Sequence, residues 1–179
     1  MTAFISDLHL GHAQVLEHDS RPFPTIEAHD TTLLSNLSAL PTATDLWVLG
    51  DVAFTPARLE DFFEATRHLR VHLVRGNHDD KLAWKRRERF HAAYEAAYLR
   101  TSIASGEKVR LYLSHYAHRT WRNSHHGSYH LFGHSHGALP PLGRSMDVGA
   151  NVLNYRPITL EAVHVALKDL PCTNHHASS

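Results

Sequence analysis

The sequence predicts two packed β-sheets with helices outside them, an arrangement of the α+β or α/β class. Strand-like and helical runs alternate through the first half of the chain, and from Thr101 onward short strands follow one another across turns. Five apolar runs also finish on a metal-type ligand, an oxygen or imidazole that the packing of a sheet does not require. Repeated five times, that pattern aims the strand ends at one polar site.

Taken in order, Ala3-Phe4-Ile5-Ser6 reads as a strand and leads into Asp7-Leu8-His9. Residues 26–40 predict a helix with Leu33, Leu34, Leu37 and Leu40 on one face. Leu46-Trp47-Val48-Leu49-Gly50 is the next strand and ends in Asp51. Pro56 suits the first turn of a second helix, whose apolar side is Leu59, Phe62 and Phe63 and which ends near His68. Residues 71–76 form a strand running into Asn77-His78-Asp79. Residues 81–99 predict a third helix with a basic front (Lys85, Arg86, Arg87, Arg89) and an apolar back (Phe90, Ala93, Tyr94, Ala97, Tyr98). Beyond it, residues 101–103, 108–114, 128–133, 145–148 and 157–167 read as strands, with a hairpin turn at Ser105-Gly106. Two of these deliver His115 and the pair His134 and His136. The loop 116–127 between them carries Arg119, Trp121 and His125-His126, and could wall a substrate site.

A chain of 179 residues is expected to form one domain over residues 1–168, burying roughly 70% of its unfolded surface. Residues 169–179 read as a frayed polar tail holding Cys172 and a solvated His175-His176 pair. Lys plus Arg equals Asp plus Glu at 18 each, so charge gives no global grip on nucleic acid or an anionic membrane; only a local patch could. The lone cysteine excludes an intramolecular disulfide and fits a reducing compartment. The first strand starts almost at Met1, leaving no room for a signal peptide, and no stretch approaches the about 18 apolar residues of a membrane span. A soluble, cytoplasmic protein is expected, with no protein partner inferable.

Histidine is the outlier, at 18 residues. His18, His29, His68, His91 and His164 fit helix faces or strand surfaces. Asp7, His9, Asp51, Asn77, His115, His134 and His136 instead form a mixed oxygen and nitrogen set without a thiolate. Seven ligands exceed one tetrahedral zinc, whereas two ions sharing a carboxylate, roughly 3.5–4 Å apart, would use them well. The donors favour a transition ion over calcium or magnesium without selecting one; manganese is the first expectation, with iron, zinc, nickel or cobalt as alternatives. Two dications against two carboxylates leave a positive site suited to an anionic phosphate, where metal-activated hydroxide could act and His78 could protonate the departing oxygen. Asp79 could orient the His78 imidazole or lend it charge. His12 could contact substrate or only close its loop, and Arg119 and Arg21 could pair with phosphate oxygens or with surface acids.

Asp7-Leu8-His9, Gly50-Asp51, Gly76-Asn77-His78-Asp79, Ser114-His115 and Gly133-His134-Ser135-His136 resemble, in order, the five motifs of the calcineurin-like metallophosphoesterase family. The resemblance covers residues 4–136. Met146-Asp147-Val148-Gly149 with Tyr155-Arg156-Pro157-Ile158, and Arg21-Pro22-Phe23, are similar to small bacterial and phage-encoded members. It implies a four-layer αββα sandwich of two mixed sheets flanked by helices, around a dinuclear centre. One ion would be held by Asp7, His9, Asp51 and His136, the other by Asp51, Asn77, His115 and His134, with Asp51 bridging and His78 as proton donor. Asp51-Val52-Ala53-Phe54 lacks the downstream Arg-Gly of the superfamily's protein phosphatases, which argues against that activity.

The expected activity is therefore hydrolysis of small or nucleotide-type phosphodiesters. A phosphomonoesterase or single-strand nuclease on the same site, and a non-enzymatic scaffold, are the competing readings.

Overall fold

Strand residues that alternate yet are buried on both sides explain how the layers form. Ala3, Ile5, Leu46, Val48, Val71 and Leu73 face one core, which they share with Leu33, Leu37, Leu59 and Phe62. The intervening Phe4, Trp47, Leu49 and Val74 face a second core, shared with Leu111, Leu113, Tyr129 and Leu131. Successive strand side chains point to opposite faces, so each of these strands must be covered twice.

The computed structural model describes residues 1–173, so the His175-His176 pair lies outside the described residues. Two mixed sheets with helices result, as the sequence predicts. The first has the order β4 (Ala92–Tyr94), β3 (Arg70–Val74), β2 (Asp45–Val48), β1 (Thr2–Ile5), β9 (Ile158–Thr159). Only β9 runs antiparallel in it. The second has the order β5 (Ala97–Ser102), β6 (Lys108–Leu113), β7 (Tyr129–Phe132), β8 (Ser145–Asp147), with β5 and β6 antiparallel and the rest parallel. Helices α2 (Ile26–Ser38) and α3 (Pro56–Ala65) cover the first sheet, each started by a threonine, Thr25 and Thr55, whose hydroxyl accepts a first-turn N–H. A single turn, α1 (Val15–His18), precedes them. Among the described residues no helix is long and apolar enough to cross a membrane.

The sheets meet at a seam. Past β1, Ser6 donates its N–H to the Val148 carbonyl and accepts from the Ala150 N–H, both at 2.8 Å, beyond the end of β8. This backbone pairing draws the ligand-bearing end of the first sheet against that of the second.

Two predicted elements are corrected. Residues 81–99 are not a helix. Short 3-10 turns at Asp79–Lys81 and Trp84–Arg89 give way to β4 on β3 and to β5 on β6, through Glu95-Ala96. Each partner strand had an open edge of backbone donors and acceptors, and pairing there outweighs local helical periodicity. Residues 157–167 are mostly helix, not strand: after β9, α4 runs from Leu160 to Leu167. Thr159 caps it by accepting the Ala162 N–H, and Leu160, Val163 and Leu167 at helical spacing fill the core between the sheets. β-branched Val163 and Val165 favour strand only in isolation.

The loop 116–128, with its 3-10 turn Ser124–His126, packs over only part of the outer face of the second sheet, around Tyr112 and His130. Trp121 is buried there, donating its indole N–H to the Ser128 carbonyl at 3.0 Å and packing on His130, so its ring serves packing rather than walling a substrate site. His130 is fully buried; it accepts the His118 N–H at 3.0 Å and, as the matching tautomer, donates to the Tyr112 carbonyl at 3.1 Å. Burial pushes its imidazole down to about 4. Between the unfolded value near 6.5 and that folded value, the unfolded chain binds the proton that the folded one refuses, so stability falls as pH falls. The contribution to stability attributable to His130 is about 3 kcal/mol, present in full above pH 6.5 and lost as pH falls to about 4. Urea unfolding of the parent and His130→Gln at pH 7 and pH 4.5 checks this. The variant is expected to lose less stability on acidification; an equal loss would contradict it.

Candidate metal centre

Five parallel strands, β1, β2, β3, β6 and β7, turn their C-terminal ends to the same side, the edge at which α/β sheets hold ligands. Immediately beyond them the backbone enters the left-handed region at Asp7 (φ 55), His9 (φ 50), Asp51 (φ 57), His134 (φ 64) and His136 (φ 49). Asp and His tolerate that region better than branched residues, and such conformations concentrate at functional sites. Each bends the chain out of its strand and turns a side chain toward the centre.

Two groups of side chains can each hold a metal ion: Asp7, His9 and His136, and Asp7, Asp51 and His115. Asp51 Oδ2 stands 3.6 Å from Nε2 of both His9 and His115, between the two groups. Asp7 Oδ1 lies 3.9 Å from His9 Nε2 and 4.0 Å from His136 Nε2. Asn77 reaches the same cluster through Oδ1, 2.8 Å from His115 Nε2. The His134 ring lies edge-on to His115, 5.1 Å between centroids, and to Tyr116 at 4.5 Å.

The neighbouring contacts prepare these groups for a cation. Asp7 Oδ1 and His9 Nε2 are buried without a hydrogen-bond partner. Desolvation lifts the Asp7 carboxyl to about 6 against the pull of His115 and His136. Burial, aided by Arg21 and the nearby imidazoles, pushes His9 far down, so its ring is neutral with a lone pair to give. His115 Nδ1 donates to the Leu49 carbonyl at 2.7 Å, and His136 Nδ1 meets Asp19 Oδ2 at 2.6 Å, which leaves Nε2 as the inward atom of both rings. Burial alone would lower His136, but Asp19 and Asp7 raise it. Two buried carboxylates, inward imidazole nitrogens and orphaned buried atoms are what a divalent ion would satisfy, so the donors fit such an ion.

Asp79 requires a correction. Its carboxylate is buried and faces the strand ends rather than the His78 ring. Oδ2 accepts the N–H of Asp51 (3.0 Å) and Gly76 (2.8 Å), and Oδ1 that of Val52 (3.0 Å). It ties β2 to β3 beneath the ligands, where three backbone donors offer better partners than one exposed imidazole. His78 is exposed; its own N–H donates to Asp51 Oδ1 at 2.9 Å and its ring lies 4.9 Å from that of Phe54. His78, Asn77, Phe54 and Lys81 border a cavity of about 500 Å³. His12 stacks on Phe54 at 3.9 Å, with Nδ1 3.2 Å from His9 Nδ1. Arg119 is exposed and lines a separate hollow with Phe132, Leu139 and Leu142.

Sequence reasoning missed the support behind the first group. Arg21 is a buried clamp rather than a surface ion pair: it donates to the carbonyls of Asp7 (3.0 Å) and Leu8 (3.4 Å) and to Asp19. Asp19 in turn holds His136. The Arg21-Pro22-Phe23 segment was a visible signal for the arginine, but nothing local marks Asp19.

No protein-family model matches the chain. An uncharacterized protein of Methanocaldococcus jannaschii is 27% identical over 163 residues, covering 89% of this chain and 86% of the relative. The Gene 66 protein of Mycobacterium phage L5 is 28% identical over 163 residues, 77% of this chain and 78% of the relative. Among solved structures, a protein of unknown function from Aquifex aeolicus shares the fold, with TM-score 0.66, 22% identity, and coverage of 93% of this chain and 99% of that one. The overlap with Pseudomonas putida nuclease MPE, at TM-score 0.40 and 19% identity over 74% of this chain and 60% of that one, is too loose to inform the chemistry.

Gly133 lies so close to the centre that an added Cβ would overlap Ser6 Oγ and Asp7 Oδ2. Gly133→Ala is therefore expected to lose metal almost as Asp51→Ala does, measured as ions per chain after manganese loading and desalting. Parent-like content in both variants would show that these carboxylates are not ligands.

Proposed function

We propose that this chain is a phosphoesterase of the calcineurin-like type, using two divalent transition-metal ions to hydrolyse small or nucleotide-type phosphodiesters. The observation that carries the reading is the pair of orphaned, buried atoms, Asp7 Oδ1 and His9 Nε2, beside an Asp51 oxygen midway between two histidines. When bound, two such ions polarise phosphoryl oxygens and supply a nucleophile from water near neutral pH. Asp7, His9, Asp51 and His136 would hold one, and Asp51, Asn77, His115 and His134 the other. Manganese is the first choice for both, with iron, zinc, nickel or cobalt as alternatives.

The protein's own groups do the rest. His78 donates a proton to the leaving oxygen, its backbone pinned to Asp51 and its ring beside Phe54. The cavity that His78 shares with Phe54 and Lys81 takes the leaving group, and His12 backs the Phe54 ring. Asp79 fixes the spacing of Asp51 and Gly76, and Asp19 orients His136.

With manganese loaded, turnover of bis-p-nitrophenyl phosphate is expected to exceed that of p-nitrophenyl phosphate; a strong monoester preference would make this a phosphomonoesterase. His78→Ala is expected to keep its metal. It should lose about 100-fold or more in kcat on a diester with an alkyl leaving group, and much less with p-nitrophenolate, which departs without a proton. Equal losses on both would remove the general-acid role.

A further inference from the structure

The charge balance of the whole chain hides a division. Residues 1–96 carry ten Lys and Arg against fourteen Asp and Glu, whereas residues 97–147, the second sheet and its loops, carry six against two. One of those two acids, Asp147, is buried and accepts from Ser135, Gly137 and Gly149. In the first half most arginines are ion-paired, including Arg70 with Asp45 and Arg89 with Glu60. Among the described residues, Arg100, Lys108, Arg110, Arg119, Arg122 and Arg144 form no ion pair with an acid.

The register concentrates these cations. Arg100 on β5 stands directly opposite Arg110 on β6, and Lys108 is opposite Ser102 on the same outer face. Like charges directly opposed across a ladder destabilise it, and no acid here relieves them. Arg100, Lys108 and Arg110 line a cavity of about 620 Å³ with Thr101, Ser102 and Val109, and no carboxylate. Beside it, the Tyr98 ring has the guanidinium of Arg122 4.5 Å from its centroid and that of Arg100 at 5.9 Å. Strand β6 leads from this patch into Ser114 and His115; His115 is the fifth residue after Arg110, roughly 17 Å along a strand.

We infer that this face binds single-stranded nucleic acid through its phosphates. Unpaired cations supply a sequence-independent grip, the guanidiniums of Arg100 and Arg122 beside the half-buried Tyr98 offer planar faces to unpaired bases, and the strand direction leads the polymer toward the candidate metal centre. The inference goes beyond the proposed hydrolysis, because the binding itself requires no metal.

The test is fluorescence anisotropy of a labelled 20-nucleotide single strand, with full-length protein in EDTA, over a range of salt. The triple variant Arg100→Ala/Lys108→Ala/Arg110→Ala is compared with Arg67→Ala/Lys85→Ala/Arg87→Ala, which has the same net charge. The first is expected to bind about tenfold or more weakly, with its salt slope reduced by about 2, and the second to resemble the parent. Arg100→Lys/Arg110→Lys, which retains the charge, should bind nearly as the parent does and guards against a folding defect. No binding by the parent at about 50 mM salt, or equal loss in both triple variants, overturns the proposal. Patch-dependent binding to phosphatidylserine vesicles without binding to the oligonucleotide overturns it in favour of a membrane surface. Both triple variants should hydrolyse bis-p-nitrophenyl phosphate like the parent. Inactivity of the parent on that ester, with oligonucleotide binding intact, would therefore count against the hydrolytic reading alone.

Discussion

Two carboxylates, Asp7 and Asp51, sit almost wholly buried where two β-sheets converge, and the surrounding structure is organised around keeping them there. A buried carboxylate is costly unless it is hydrogen-bonded or compensated by positive charge. Each has part of its capacity met from below: Asp7 Oδ2 accepts the His134 N–H, and Asp51 Oδ1 that of His78. The remaining oxygens face a space ringed by imidazole nitrogens. The seam at Ser6, the backbone clamp made by Asp79 and the arginine behind Asp7 all hold that unresolved electrostatics in one geometry.

Much of this was legible in the sequence because the informative signals are local. An apolar run followed at once by Asp or His can be read without knowing the partner strand, and five such runs in one chain define a shared edge. The helices over residues 26–40 and from Pro56 were legible for the same reason, since cap and apolar face are written within a few turns. Residues 81–99 were not, because Phe90, Ala93, Tyr94, Ala97 and Tyr98 satisfy helical spacing while their fate is set by open edges on β3 and β6. Residues 157–167 failed in the opposite sense, with β-branched residues masking a threonine-capped helix.

The supporting groups were the hardest to foresee. Asp79 lies next to His78 in sequence, which suggested a partnership, but adjacent residues on a tight turn point different ways, and the carboxylate turned to the Asp51 and Gly76 backbone. Asp19 reaches His136 across more than a hundred residues, a contact no periodicity announces. Net charge misled in a related way, since a sum of zero concealed an acidic half and a basic half.

The left-handed backbone at Asp7, His9, Asp51, His134 and His136 has a consequence for handling the protein. Conformations of this kind persist where surrounding contacts over-determine them, and an ion that bridges the side chains would add to those contacts. Trace metal in the buffer then acts as a ligand of the native state, and the melting temperature drifts with chelator and purification history. Under the dinuclear reading, a thermal scan of this chain reports occupancy as much as it reports the polypeptide.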